Sequence, residues 1–165
     1  LLICLLIYSP ASAEVIKKTP KTTQQIIWII RYTKVYFSTE RGKWEHIISS
    51  IMSNESNNCG EKIGEADPSF GCMQTKVDAV RTAAKYWKIQ IPEREDKIIW
   101  KLLRDDRFSI QIGIAYLGYL VKKFNEADLA IIAYNLGEGR VIQLLLLNKS
   151  LPQEYLRKIK RQGDK

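Results

Sequence analysis

Glu55 is the residue around which chemistry could be built, because of the company its spacing gives it. Trp44, Ile48, Ile51 and Glu55 follow one another at intervals of four, three and four residues, which sets all four side chains on one face of a helix. The carboxyl group therefore sits on an apolar face. Ser56-Asn57-Asn58-Cys59-Gly60 comes directly after it, a run of turn formers that stops the helix within a residue or two. Apolar surroundings disfavour the anion, and so does the negative end of a helix dipole, so both features push this acid toward keeping its proton near neutral pH. A carboxylic acid held neutral can act as a general acid. The plain alternative is a glutamate at a helix end turned to solvent, the usual condition of an isolated Glu.

Further reactive groups lie in the loop beyond. Glu61, Glu65 and Asp67 could each supply the base of a hydrolase, although solvated loop carboxylates explain them more simply. Cys59 and Cys72 stand on either side of the same loop. In an oxidising compartment such a pair can close as a disulfide, which for a loop of this size contributes on the order of 3 kcal/mol in the chain-entropy model. Two unrelated buried thiols are the other reading, since two cysteines permit a bridge without demanding one. There is no CxxC pair, and the single histidine, His46, lies on the opposite flank from Glu55 and reads as a surface or packing residue. No metal set is assembled.

The elements that must position these groups are read as helices. Thr22 to Phe37 is apolar and β-branched, so helix and strand compete, with helix preferred. Lys43 to Glu55 is the organising helix, and 57–70 is a loop rich in Gly, Asn, Asp and Pro, long enough to suggest a functional role. Thr75 to Trp87 and Asp96 to Leu103 read as amphipathic helices. Asp105 or Asp106 caps the next helix, in which Ile110, Ile114, Leu117, Val121 and Phe124 form one apolar stripe. After Asn125, taken as a cap, Leu129 to Ala133 is apolar on all sides and reads as a central buried helix ending near Gly137. Gly139 to Leu147 and Glu154 to Arg161 complete the chain, with Pro152 at a first helical position.

Residues 1–13 stand apart: an apolar run from Leu1 to Tyr8 and then Ser9-Pro10-Ala11-Ser12-Ala13, matching the apolar region and small-residue cleavage site of part of a secretory signal peptide. Its eight apolar residues are too few to span a bilayer, so no stable transmembrane span is expected after cleavage. Residues 14–38 form a lead-in and helix, and 39–165 the main domain. With 165 residues, 45% of them hydrophobic, the chain suffices for one ordinary core and is not disordered. The net charge of +8, from 26 Lys and Arg against 18 Asp and Glu, favours polyanionic partners such as acidic wall polymers, anionic lipid or nucleic acid, without choosing among them. The Arg157 to Arg161 cluster reads as a solvated helix face. Export and the lack of a recognised motif speak against nucleic acid.

Three segments in order carry a family resemblance: Glu55-Ser56, then Ser69-Phe70-Gly71-Cys72-Met73-Gln74, then Ala133-Tyr134-Asn135-Leu136-Gly137-Glu138-Gly139-Arg140-Val141. Together they resemble the soluble lytic transglycosylase family, over about Lys43 to Tyr155. Asn57 and Asn58 depart from it where an aromatic is usual, Cys72 where Leu is usual, and the proline that often follows the Met-Gln segment is absent. The resemblance implies a mainly α, lysozyme-like single globular domain with a long catalytic loop and little or no β-structure. It also implies a periplasmic or otherwise exported, cell-wall-associated enzyme that cleaves the β-1,4 bond between N-acetylmuramic acid and N-acetylglucosamine in peptidoglycan, forming 1,6-anhydromuramyl ends. Glu55 would be the catalytic acid and then the base, with no metal or cofactor. Ser56, Gly71, Met73, Gln74, Tyr134 and Asn135 would serve the substrate groove, Tyr134 pointing at the acid and Asn135 tying its helix to the loop. Taken without the family, Met73 reads as core, Asn135 as a helix-end cap and Tyr134 as packing, while Ser69 lies off the family's serine position. The lone carboxylate fits the chemistry: glycosidases ordinarily need a second one, but an internal hydroxyl attacking its own ring has a high effective concentration. Two alternatives stay open, a goose-type lysozyme-like hydrolase and an inactive glycan-binding module within an envelope-spanning assembly.

Overall fold

The computed structural model describes residues 21–64 and 67–163; the signal-peptide reading of residues 1–13 and the loop carboxylate Glu65 fall outside that range. The competition between helix and strand near the N-terminus is settled at a capping box. The Thr22 side chain accepts the Gln25 backbone N–H at 3.1 Å while the Gln25 side chain accepts the Thr22 N–H at 2.8 Å, satisfying two donors that a helix start leaves open. Helix α1 (Thr23–Tyr36) follows, burying Ile29, Tyr32 and Tyr36 and leaving Ile26, Ile27 and Val35 exposed.

Helix α2 (Arg41–Ser56) is entered through Glu40 and left through Asn57, both in the left-handed conformation. Then come α3 (Val77–Trp87), α4 (Glu95–Arg104), α5 (Asp106–Phe124), α6 (Ala127–Leu136), α7 (Glu138–Leu146) and α8 (Glu154–Gly163). Among the described residues there is no strand, only isolated bridges pairing Ile63 with Phe70 and Phe70 with Thr75. The architecture is mainly α, as expected. No single described helix is long and apolar enough to cross a membrane; α6 and α7 together pass by length and composition alone and are bent by 116°.

Three local expectations need correction. Asp105 does cap α5, accepting the Phe108 N–H at 2.9 Å, but Asn125 does not cap α6. It takes the left-handed conformation that ends α5, its N–H bonded to the Val121 carbonyl, and Glu126 is the residue before α6. Asn tolerates that conformation well, so it closes one helix instead of opening the next. Pro152 stands ahead of α8 and not at its first position. Finally, the helix buried on nearly all sides includes α5 as well as α6. Helix α5 packs against α1, α3, α4 and α6, so Ile110, Ile112, Ile114, Leu117 and Leu120 are all fully buried, each stabilising by roughly 1.5–3 kcal/mol.

Gly113 sets how the loop meets this core. A Cβ there would lie 2.3 Å from the Met73 Cβ, so only a bare backbone lets the loop segment approach α5 this closely. The loop that trails α2 is thereby seated on α5.

Candidate active site

Helix α2 delivers Glu55 to its last turn, and the chain then reverses through Asn57, Asn58 and Cys59, all at positive φ. Asn accepts that backbone more readily than an aromatic would, which gives the departure from the family pattern at 57 and 58 a conformational cause. Ser56 is fully buried directly behind the acid. Its hydroxyl donates to the Cys72 carbonyl at 2.6 Å and accepts the Cys59 N–H at 2.9 Å. A disulfide joins Cys59 to Cys72, with a Cα separation of 4.3 Å.

The returning arm of the loop is stitched to its outgoing arm and to the start of α5. Gly71 donates its N–H to the Lys62 carbonyl at 2.8 Å, Cys72 donates its N–H to the Ser109 hydroxyl at 2.8 Å, and the Lys62 ammonium meets Asp106 at 2.6 Å. Gly71 has φ +80°, and a Cβ there would lie 2.2 Å from the Ser109 Oγ and 2.6 Å from the Leu102 carbonyl. The sulfurs of Cys59 and Cys72 and an Asp106 carboxylate oxygen lie within 4.8 Å of one another. The sulfurs are bonded to each other and the carboxylate is paired with Lys62, so this grouping is not arranged as a ligand set.

Above that floor opens a hollow of about 320 Å³, walled by Glu55, Gln74, Tyr116, Tyr134 and Asn135, with Asp67 also lining it. The size falls within the range of small-ligand sites. Three residues expected in the groove do not line it: Ser56, Gly71 and Met73 are buried beneath. Their types suit close packing and a tight turn, which is the reason they lie below. Gln74 and Asn135 do line the hollow. Gln74 is held by the Ser69 hydroxyl, which donates to its Oε1 at 2.9 Å, and by its own amide donating to the Gly71 carbonyl at 2.9 Å. Ser69 itself also lines the hollow.

Tyr134 reaches the hollow too, but its hydroxyl donates to the Met73 carbonyl at 2.7 Å. It is therefore Tyr134 and not Asn135 that ties α6 to the loop. The hydrogen bond to the acid comes from elsewhere: the Tyr155 hydroxyl on α8 donates to Glu55 Oε1 at 2.6 Å. The sequence reading missed Tyr155 as well as Tyr116, whose ring centroid lies 5.8 Å from that of Tyr134. The signal for Tyr155 was the apolar pair beside it, Leu156 and Ile159, both buried, which turns one face of the basic α8 inward.

Electrostatics at Glu55 follow from these contacts. Burial raises its pKa above the ordinary glutamate value, opposed by the Tyr155 hydroxyl, the Asn54 side chain and the charge of Lys158, all of which favour the anion. The sequence argument from apolar surroundings predicts the same direction. Tyr155 and Tyr134 are pushed upward by burial and by the nearby Glu55 charge, so both stay protonated and able to donate. Asp67, on the rim, is exposed and paired with Lys76, and Glu61 is exposed. The described residues thus bring one partly buried carboxyl group, a hydroxyl donor and an aromatic wall to a single hollow.

A transglycosylase SLT domain model matches residues 36–156, and no curated protein matches the chain. Among solved structures, the chain is similar to an inactive mutant of lytic transglycosylase Slt from Pseudomonas aeruginosa, at 21% identity and a TM-score of 0.57 over 84% of this chain. The match spans 21% of that longer protein.

Proposed function

From the premise that the chain belongs to the transglycosylase SLT domain family, we propose that it is a peptidoglycan lytic transglycosylase, with Glu55 as its one catalytic carboxyl group. The observation that carries this reading is the pairing of a raised pKa with an ordered position: Glu55 is desolvated, lines the hollow and is held by the Tyr155 hydroxyl at Oε1. Held there, the carboxyl group can exchange a proton with a substrate in the hollow.

Protonated Glu55 donates to the glycosidic oxygen between N-acetylmuramic acid and N-acetylglucosamine, and the bond to the leaving sugar breaks. The carboxylate then takes the proton of the muramyl 6-hydroxyl as that oxygen bonds to the anomeric carbon, closing the 1,6-anhydro ring and returning Glu55 to its acid form. A water-activating partner is not needed, because the nucleophile is tethered to the electrophile. Gln74, Asn135, Tyr116 and Tyr134 offer the polar groups and ring faces suited to a sugar, whereas Ser56, Gly71 and Met73 act from beneath by fixing the loop. An exported, wall-associated setting follows from that substrate and agrees with the Cys59–Cys72 bridge.

Asp67 is the observation that would favour a lysozyme-like hydrolase, as a second carboxylate on the same hollow. Its exposure and its pairing with Lys76 suit a rim contact better than a base. Mass spectrometry of digested peptidoglycan separates the two readings: 1,6-anhydromuramyl ends are expected, and they disappear in Glu55→Gln. Predominantly reducing ends would favour the hydrolase, and a fully active Glu55→Gln would remove Glu55 from the chemistry.

A further inference from the structure

Apolar side chains exposed one at a time are ordinary on a protein surface, and Ile63, Tyr86 and Trp100 are exposed in that way. The end of α7 is different. Leu145, Leu146 and Leu147 follow one another in the chain and are 43%, 79% and 55% exposed. We propose that this leucine tip, with the basic residues that flank it in the chain, docks the protein peripherally on an anionic lipid surface; the inference goes beyond the enzymatic reading and does not depend on it.

Local structure presents these three side chains as a tip. Val141 and Leu144 are buried and hold α7 to the core, and Leu147 closes the helix. Asn148 then takes a positive φ; its N–H bonds to the Leu145 carbonyl at 3.1 Å, and the Lys149 N–H to the Leu144 carbonyl at 2.9 Å. The chain turns back there, which leaves the leucines at a blunt helix end. Successive helical residues are about 100° apart, so three in a row sweep about 200° around the axis. A protein groove takes up a narrow stripe of residues three and four apart. A tip that is apolar over half its circumference suits a fluid apolar phase that can surround it.

Charge selects the kind of lipid. From Glu138 to Gly163 the chain carries six Lys and Arg against two Glu, within a protein of net charge +8. Arg140 on α7 and Lys149 just past its end are exposed, and α8 adds Arg157 and Arg161, also exposed. Basic side chains beside an inserting apolar group favour anionic headgroups over zwitterionic ones. Gly137, at the opposite end of α7, lines the hollow that holds Glu55. The nine residues of α7 thus set the rim of that hollow about 13 Å along the helix from the docked tip.

The test is co-sedimentation with vesicles of phosphatidylcholine, either pure or containing about a quarter of phosphatidylglycerol. The parent protein should bind the anionic vesicles roughly tenfold or more tightly than the zwitterionic ones. Leu145→Ser, Leu146→Ser and Leu147→Ser combined should weaken that binding by roughly tenfold or more. Should the triple change disturb α7, Leu146→Ser alone, at the most exposed of the three, should move binding in the same direction. Lys149→Glu should weaken binding to the anionic vesicles and leave the zwitterionic ones unaffected. Equal binding of the parent to both vesicles, or serine variants that bind as the parent does, overturns the proposal. So does a dimer seen by sedimentation velocity, without vesicle binding, that the serine changes dissolve, because the leucines would then meet a second copy of the chain.

Discussion

The loop after α2 and the helix α8 both reach Glu55, and they hold it by different means. The loop works through the covalent chain and the buried backbone: a disulfide, the Ser56 hydroxyl between Cys59 and Cys72, and the Ser109 hydroxyl beneath Cys72. Helix α8 works through the Tyr155 hydroxyl and the charge of Lys158, backed by two buried side chains, Leu156 and Ile159. The first arrangement fixes where the acid is. The second sets how its carboxyl group is oriented and how readily it gives up a proton. Changes on the loop side should therefore cost the fold, and changes on the α8 side should cost the chemistry.

The largest effect is expected at Gly71. Gly71→Val needs a Cβ at a positive φ against Ser109 and the Leu102 carbonyl, so the variant should lose its cooperative thermal transition or fall several kcal/mol in denaturant melts. Next comes the disulfide. Cys59→Ser with Cys72→Ser should lower stability by about 2–4 kcal/mol, read from urea midpoints, with activity per folded molecule falling less than the folded fraction does. Tyr155→Phe should invert this pattern. Its stability should drop by only about 0.5–1.5 kcal/mol, while turnover falls about 10- to 100-fold through loss of orientation. The hydroxyl favours the anion, so its removal should also move the alkaline limb of the pH–rate profile upward. If Tyr155→Phe instead unfolds the protein and leaves the profile of the folded fraction unchanged, the division between the two regions is wrong.

A smaller effect distinguishes the acid itself. Because the folded pKa of Glu55 lies above its unfolded value, the folded state binds the extra proton. Stability from this group is fully present below the unfolded pKa and is lost as pH rises through the folded one. Glu55→Gln should therefore raise Tm relative to the parent at neutral and alkaline pH, with the difference vanishing in acid. The smallest effect belongs to the exposed Lys160–Asp128 pair: Lys160→Ala should change stability by less than about 1 kcal/mol.

The two regions were unequally readable from the sequence. Spacing alone placed Glu55 on the inner face of a helix about to end, and the structure has α2 stopping at Asn57, because a periodic apolar stripe and a turn-forming run are local signals. The roles of Ser56, Gly71 and Met73 were harder to read. A small or apolar residue next to a groove and one directly under it have the same local pattern, and only the closeness of Met73 to Gly113 decides which it is. Tyr155 lies on a helix whose local pattern is dominated by basic residues, and its inward face shows only in Leu156 and Ile159. The three left-handed residues at 57–59 left a trace in Asn57 and Asn58, but nothing local marks Cys59 as able to take that conformation. The bridge to Cys72 was one of two open readings, and choosing between them required the fold.

The account rests on Glu55 remaining protonated where an ordinary glutamate would not. Its titration can be followed through the side-chain carboxyl carbon in a labelled protein, the resonance being assigned by its disappearance in Glu55→Gln. A midpoint above the usual glutamate range, rising further in Tyr155→Phe, is the predicted result; a midpoint at or below that range, unmoved by Tyr155→Phe, would contradict it.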